Sequence, residues 1–107
     1  VGFAPGWVSS YFLTPEASRD LESIWQFVAQ NSVHHADLLE EAIYATCRSA
    51  AAMDGMGHRR RDVDKPMMLF LGVRGYKRYS IAYVSGTSPL RVVRVIHGSR
   101  NVLKLFR

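Results

Sequence analysis

The chain has 107 residues, 48% apolar and 21% charged, which suits one domain with a core of its own. Its 14 Lys and Arg outnumber 9 Asp and Glu, a balance of +5 that favours an acidic partner (nucleic acid, anionic membrane or acidic protein) without choosing among them. A single cysteine, Cys47, excludes an internal disulfide and a cysteine-based zinc site and suits a reducing cytoplasm, and no apolar run approaches the length of a membrane span.

The opening VGFAPGW, with Pro5 and two glycines, offers no regular structure and lacks the basic start of a signal peptide. Residues 1–7 are read as a flexible leader and 8–107 as one domain. VSSYFL (8–13) predicts a short strand running into a helix. Thr14-Pro15-Glu16 supplies the helix start: a capping hydroxyl, a proline at the first position and an acid at the positive end of the dipole. Ala17, Leu21, Ile24, Trp25 and Val28 then mark an apolar face, with Arg19, Asp20, Glu22, Ser23 and Gln26 falling mostly elsewhere.

Asn31-Ser32 breaks this helix and caps a second one. Its apolar face is Ala36, Leu39, Ala42, Ile43, Cys47 and Ala50, and Gly55 and Gly57 end it. The short link predicts a helical hairpin. After the charged loop HRRRDVDKP (58–66) the pattern changes. MLFLGV (68–73), YSIAYVS (79–85) and LRVVRVIH (90–97) are rich in β-branched and aromatic residues. Arg74 to Lys77 and Gly86 to Pro89 separate them as hairpin turns. The expected fold is α+β: an N-terminal strand, an α-helical hairpin, then a three-stranded antiparallel sheet, with a short C-terminal helix over 100–106.

The candidate functional residues are cations. Arg59, Arg60 and Arg61 form the densest positive patch, diluted by Asp62 and Asp64, and a loop charge run is usually a solvated face. Arg74, Lys77 and Arg78 add charge at the first hairpin. Arg91 and Arg94, three apart on a strand, point to opposite faces. His34 and His35 are neighbours on a helix, so they read as exposed residues rather than co-ligands of a metal. Cys47 reads as a buried, inert thiol. Tyr79 and Tyr83 share a strand face with Ile81 and read as core residues with polar tips if that face meets the helices, or as a surface for stacking on bases if it is open. HGSR (97–100) offers two readings. In a ribonuclease, His97 would be a base and Arg78 and Arg100 phosphate clamps, but no second acid or base is placed to complete the set. In a structural reading, Gly98 turns the chain and Ser99 caps the last helix.

Four stretches, in order, resemble ParE-type toxins of the RelE/ParE superfamily. These are LTPEASRDLESIWQFVAQNS (13–32), MGHRRRDV (56–63), YSIAYVSG (79–86) and VVRVIHGSRN (92–101), and the likeness runs from about Ser10 to Leu105. The departures are the leader and the second hairpin, Gly86 to Leu90. The resemblance implies a RelE/ParE-like fold and the toxin half of a type II toxin–antitoxin module, without a cofactor. It implies a ParD-like antitoxin partner whose acidic C-terminal segment lies along the toxin. It implies DNA gyrase as the target, DNA reached only through the antitoxin complex, no membrane contact and a cytoplasmic location. On that reading the protein acts by binding rather than catalysis, through Arg59, Arg60, Arg61 and Arg74 with the tail residues Arg100, Lys104 and Arg107. The alternative branch is a ribosome-dependent mRNA endoribonuclease, with Arg78, His97 and Arg100 as the residues of its site.

Overall fold

A computed structural model of the chain describes residues 10–98 and 105–106. The expected leader, residues 1–7, and the expected closing helix over 100–106 lie outside the described residues, apart from Leu105 and Phe106.

Strand β1 (Tyr11–Leu13) leads into helix α1 (Pro15–Ala29), helix α2 (Val33–Ala52) and a single 3₁₀ turn (Asp54–Met56). Strands β2 (Met68–Val73), β3 (Tyr76–Val84) and β4 (Leu90–His97) follow. The helix starts form as the capping chemistry predicts. Thr14 Oγ1 accepts from Ala17 N at 3.2 Å, and Ser32 Oγ accepts from His35 N at 3.1 Å. Arg74 and Gly75 make the turn between β2 and β3, where Gly75 has a φ of +84°, so a side chain there would be strained.

The sheet differs from the expected one. It has four strands in the order β1-β4-β3-β2, because β1 joins it in parallel beside β4, pairing Tyr11 with Leu90 and Leu13 with Val92. The pairing is non-local, so no turn signal announces it. β3 also begins at Tyr76, three residues before the alternating run that suggested it. Between β3 and β4 the register shifts: Tyr83 faces Val92 while Ala82 faces Arg94, leaving Val93 as an extra residue in β4.

The helical hairpin covers one face, with α1 over β4 and α2 over β2 and β3. Ala17, Leu21, Leu39, Ile43, Cys47 and Ala50 from the helices meet Val73, Ile81, Tyr83, Val92 and Val95 from the sheet. The predicted faces are buried at Ala17, Leu21, Ala36, Leu39, Ile43, Cys47 and Ala50 and only partly buried at Ile24, Trp25, Val28 and Ala42, while Asp20 and Thr46 are buried as well. Alternation sends Phe70, Ala82 and Ile96 to the other face, where they pack with Val63, Met68, Leu105 and Phe106. No described helix is long and apolar enough to cross a membrane.

Candidate functional site

The loop between the 3₁₀ turn and β2 is tied down at one residue. His58 and Phe70 exchange two backbone hydrogen bonds of 2.8 Å, and the chain then swings out through Arg59 to Pro66. Arg60 turns back on this loop. Its Nε and Nη2 donate to the Asp62 carboxylate at 3.0 and 2.7 Å, and its guanidinium carbon lies 5.6 Å from the centre of the Phe70 ring. The Arg60 hydrogen bond holds the Asp62 carboxyl below its ordinary range, and the same bond raises Arg60. Phe106 meets the same Phe70 ring edge-on, with centres 5.6 Å apart and planes at 89°. One aromatic ring therefore gathers the basic loop and the C-terminal end of the chain. Arg59 and Arg61 are exposed, and neither forms an ion pair among the described residues.

Arg74 does not belong to this surface. It sits in the turn at the far end of β2, beside Lys77 and Arg78. Arg100, Lys104 and Arg107 lie outside the described residues. The wider charge distribution is sharply divided. All 9 acids occur up to Asp64, mostly on the helices, whereas everything from Lys65 onward carries lysine and arginine only. The strands of the hairpin sheet and the tail are thus basic, and the helical layer is acidic.

At the Arg78 end a cleft of about 340 Å³ opens between α1 and the ends of β3 and β4, lined by Ser23, Ile24, Phe27, Tyr79, Val95 and His97, with Asp20 at its edge. Tyr79 and His97 are register partners, their ring centres 5.0 Å apart. Gly98 N donates to Arg78 O. A Cβ on Gly98 would come within 2.7 Å of that oxygen, so the glycine of the HGSR stretch is required by this close approach. The structure therefore brings Arg78 and His97 onto neighbouring strands.

The one carboxylate of the cleft is already committed. Asp20 Oδ2 accepts from Arg94 Nε at 2.7 Å and from Val95 N at 3.0 Å, and Oδ1 accepts from Arg94 Nη2 at 2.9 Å. With both oxygens engaged by these donors, Asp20 holds β4 against α1, and the other side chains that line the cleft are largely apolar or aromatic. On sequence grounds Asp20 falls with the polar residues that lie mostly off the apolar face of α1. Its position in the spacing Ala17, Asp20, Leu21, Ile24 was the available signal, since it falls on the apolar stripe itself. Phe27, 67% exposed at the rim of the cleft, carries no such signal.

A solved structure, the chromosomal ParDE toxin–antitoxin system from P. aeruginosa, shares this fold. The match has a TM-score of 0.66 at 16% identity, over 84% of this chain and 96% of that one. No curated protein matches the chain. The model of the family described as "ParE toxin of type II toxin-antitoxin system, parDE" matches residues 11–102. That span takes in both helices, the whole sheet, the basic loop and the cleft, and the chain belongs to the ParE toxin family.

Proposed function

We propose that this toxin inhibits DNA gyrase by binding it, and that a ParD-like antitoxin neutralises it in the cytoplasm. The observation that carries the reading is the convergence at Phe70. Arg60 and Phe106 meet on that ring, which supports assigning the basic loop with Arg59, Arg60 and Arg61 to the contact, together with Arg74 from the other end of β2 and, on sequence grounds alone, Arg100, Lys104 and Arg107. The excess of positive charge suits an acidic antitoxin segment. DNA is engaged only through the antitoxin complex.

A supercoiling assay with purified, antitoxin-free protein tests this. Loss of supercoiling, or accumulation of cleaved DNA, is expected. Deleting residues 99–107 abolishes the effect while antitoxin binding survives. Because the deletion also removes Phe106 from its packing, Arg59→Glu/Arg61→Glu serves as a second variant on exposed positions and should weaken inhibition. Unaffected gyrase in the presence of folded toxin overturns the reading.

One observation favours the alternative of a ribosome-dependent mRNA endoribonuclease. His97 stacks on Tyr79 beside Arg78 in an open cleft. On that reading His97→Ala, Arg78→Ala or Arg100→Ala removes toxicity without unfolding the protein, and cleaved mRNA accumulates in cells that express the toxin.

A further inference from the structure

The cleft between α1 and the ends of β3 and β4 carries an aromatic knob on its own rim. Phe27 is 67% exposed, more than any other large apolar side chain among the described residues. Beside it Ile24, Tyr79, Val95 and His97 line a hollow of about 340 Å³. A dry cavity of about 150 Å³ holds a benzene ring, so this hollow has room for an aromatic side chain. Asp20 at its edge is spent on Arg94 and the Val95 amide, so no free carboxylate there calls for a cationic occupant. A knob and a matching hole on one patch are what a two-fold interface needs, because the same surface must meet itself.

The charges at the two ends of the patch are opposite. α1 runs beside β4 in the same direction: Thr14 N donates to Val92 O, Asp20 accepts from Val95 N, and Phe27 shares the cleft with His97. Glu16 therefore stands exposed at one end. Lys77, exposed and two residues before Tyr79 on β3, stands at the other. Glu16 has only a loose contact with Arg19, at 3.9 Å, and Lys77 forms no ion pair among the described residues. Between these ends Ser23 and Phe27 are exposed and uncharged. A two-fold axis through the cleft reverses α1, which sets the Lys77 end of each copy over the Glu16 end of the other. An acidic segment or a phosphate backbone finds less here, since Arg19 already lies beside Glu16 and Arg94 is held by Asp20.

We propose that this face is a self-association surface for two copies of the chain. Phe27 of each copy enters the cleft of the other, and Lys77 of each faces the other's Glu16. The dimer closes both clefts over Tyr79 and His97. It leaves free the opposite face of the sheet, where Phe70 and the basic loop lie, so the inference does not depend on the gyrase reading.

Sedimentation velocity of the full, antitoxin-free chain, in a concentration series up to about 100 μM, provides the test. The wild type should pass from monomer to dimer with no larger species. Phe27→Asp should weaken dimerisation at least about 10-fold, the loss typical of a central interface anchor. Ser23→Trp, which fills the mouth of the cleft from an exposed position, should do the same. Glu16→Lys and Lys77→Glu should each weaken it, and the two combined in one chain should restore it, because a two-fold interface pairs each residue with the other's partner. Leu38→Gln, which removes an exposed apolar side chain from α2, should leave it unchanged. Folding of each variant is checked by circular dichroism. A wild type that stays monomeric throughout overturns the proposal. So does a dimer indifferent to both Phe27→Asp and Ser23→Trp, which places the contact elsewhere, and so does a double reversal no better than either single change. A monomeric wild type whose antitoxin binding is weakened by Phe27→Asp overturns it as well and reassigns the cleft to the antitoxin.

Discussion

Asp20 at the start of α1 and Arg94 on β4, 74 residues apart, lock together through two hydrogen bonds of 2.7 and 2.9 Å. The pair stands where the sheet runs out of strands. β1 stops at Leu13, opposite Val92, and past that point β4 has no neighbour on that side. The start of α1 takes over. Thr14 N donates to Val92 O at 3.0 Å, Thr14 Oγ1 donates to Val93 O at 2.9 Å, and Asp20 accepts from Val95 N at 3.0 Å. Buried backbone groups left unpaired at an edge are costly, so these three contacts allow β4 to continue to His97 and form the wall of the cleft. Asp20→Ala leaves Arg94 and the Val95 amide without their partner and should cost about 3 kcal/mol of stability in urea unfolding. Replacing both residues, Asp20→Leu with Arg94→Leu, should cost less than the Asp20 change alone, because no charge is then stranded. A loss below about 1 kcal/mol for Asp20→Ala would show that water readily replaces the carboxylate.

The same corner shows what could be read without a structure. Both helices were legible because their capping residues and apolar spacing are local signals. Ser32, for example, announces α2 by chemistry that acts only three residues away. β2 and β4 were legible because Gly, Pro and Ser bound their apolar runs. What escaped is non-local. Nothing near Tyr11 says that it pairs in parallel with Leu90, and nothing near Asp20 says that its partner lies on the last strand. The basic loop was visible as charge. Its meeting with the C-terminal end was not, since that depends on Phe70 and Phe106 facing each other across the sheet's second surface.

Tyr83 anchors the 3₁₀ turn from beneath. Its side chain is wholly buried, its hydroxyl donates to Asp54 O, and it accepts from Gly57 N at 3.0 Å. Tyr83→Phe leaves a carbonyl and an amide short of a partner and should cost about 1–3 kcal/mol. Gly57→Ala acts on the same contact from the other side. The new Cβ would lie 2.6 Å from Tyr83 Oη and 2.8 Å from Leu69 Cβ, so the turn must shift. Thermal unfolding should show both variants less stable than the wild type. Equal stability of Gly57→Ala would mean that the turn moves freely. In that case the positions of Met53 and Met56 would not be held.

Cys47 sits in the core between α2 and the sheet, and burial pushes its thiol up to about 12 from an ordinary value of 9.0, with Arg48 opposing weakly. The sign of the linkage follows. The unfolded chain loses this proton first, so the contribution of Cys47 is fully present below about pH 9 and declines as pH rises toward 12. Cys47→Ala should therefore lose less stability than the wild type between pH 9 and pH 11, though it starts lower because a buried sulfur has been removed. A thiol reagent at pH 8 should leave the native protein unlabelled and label it fully in denaturant. Rapid labelling of the folded protein would place the thiol at the surface, contrary to its complete burial.

Oxidation distinguishes the methionines by exposure. Hydrogen peroxide transfers one oxygen to a thioether sulfur as its O–O bond breaks, and water is released. In the free toxin Met53, Met56 and Met67 should take up oxygen well before Met68, which is only 8% exposed and packs with Phe70 and Ile96. Peptide mapping by mass spectrometry gives the order directly. Met68 should react at a comparable rate only after the protein is unfolded.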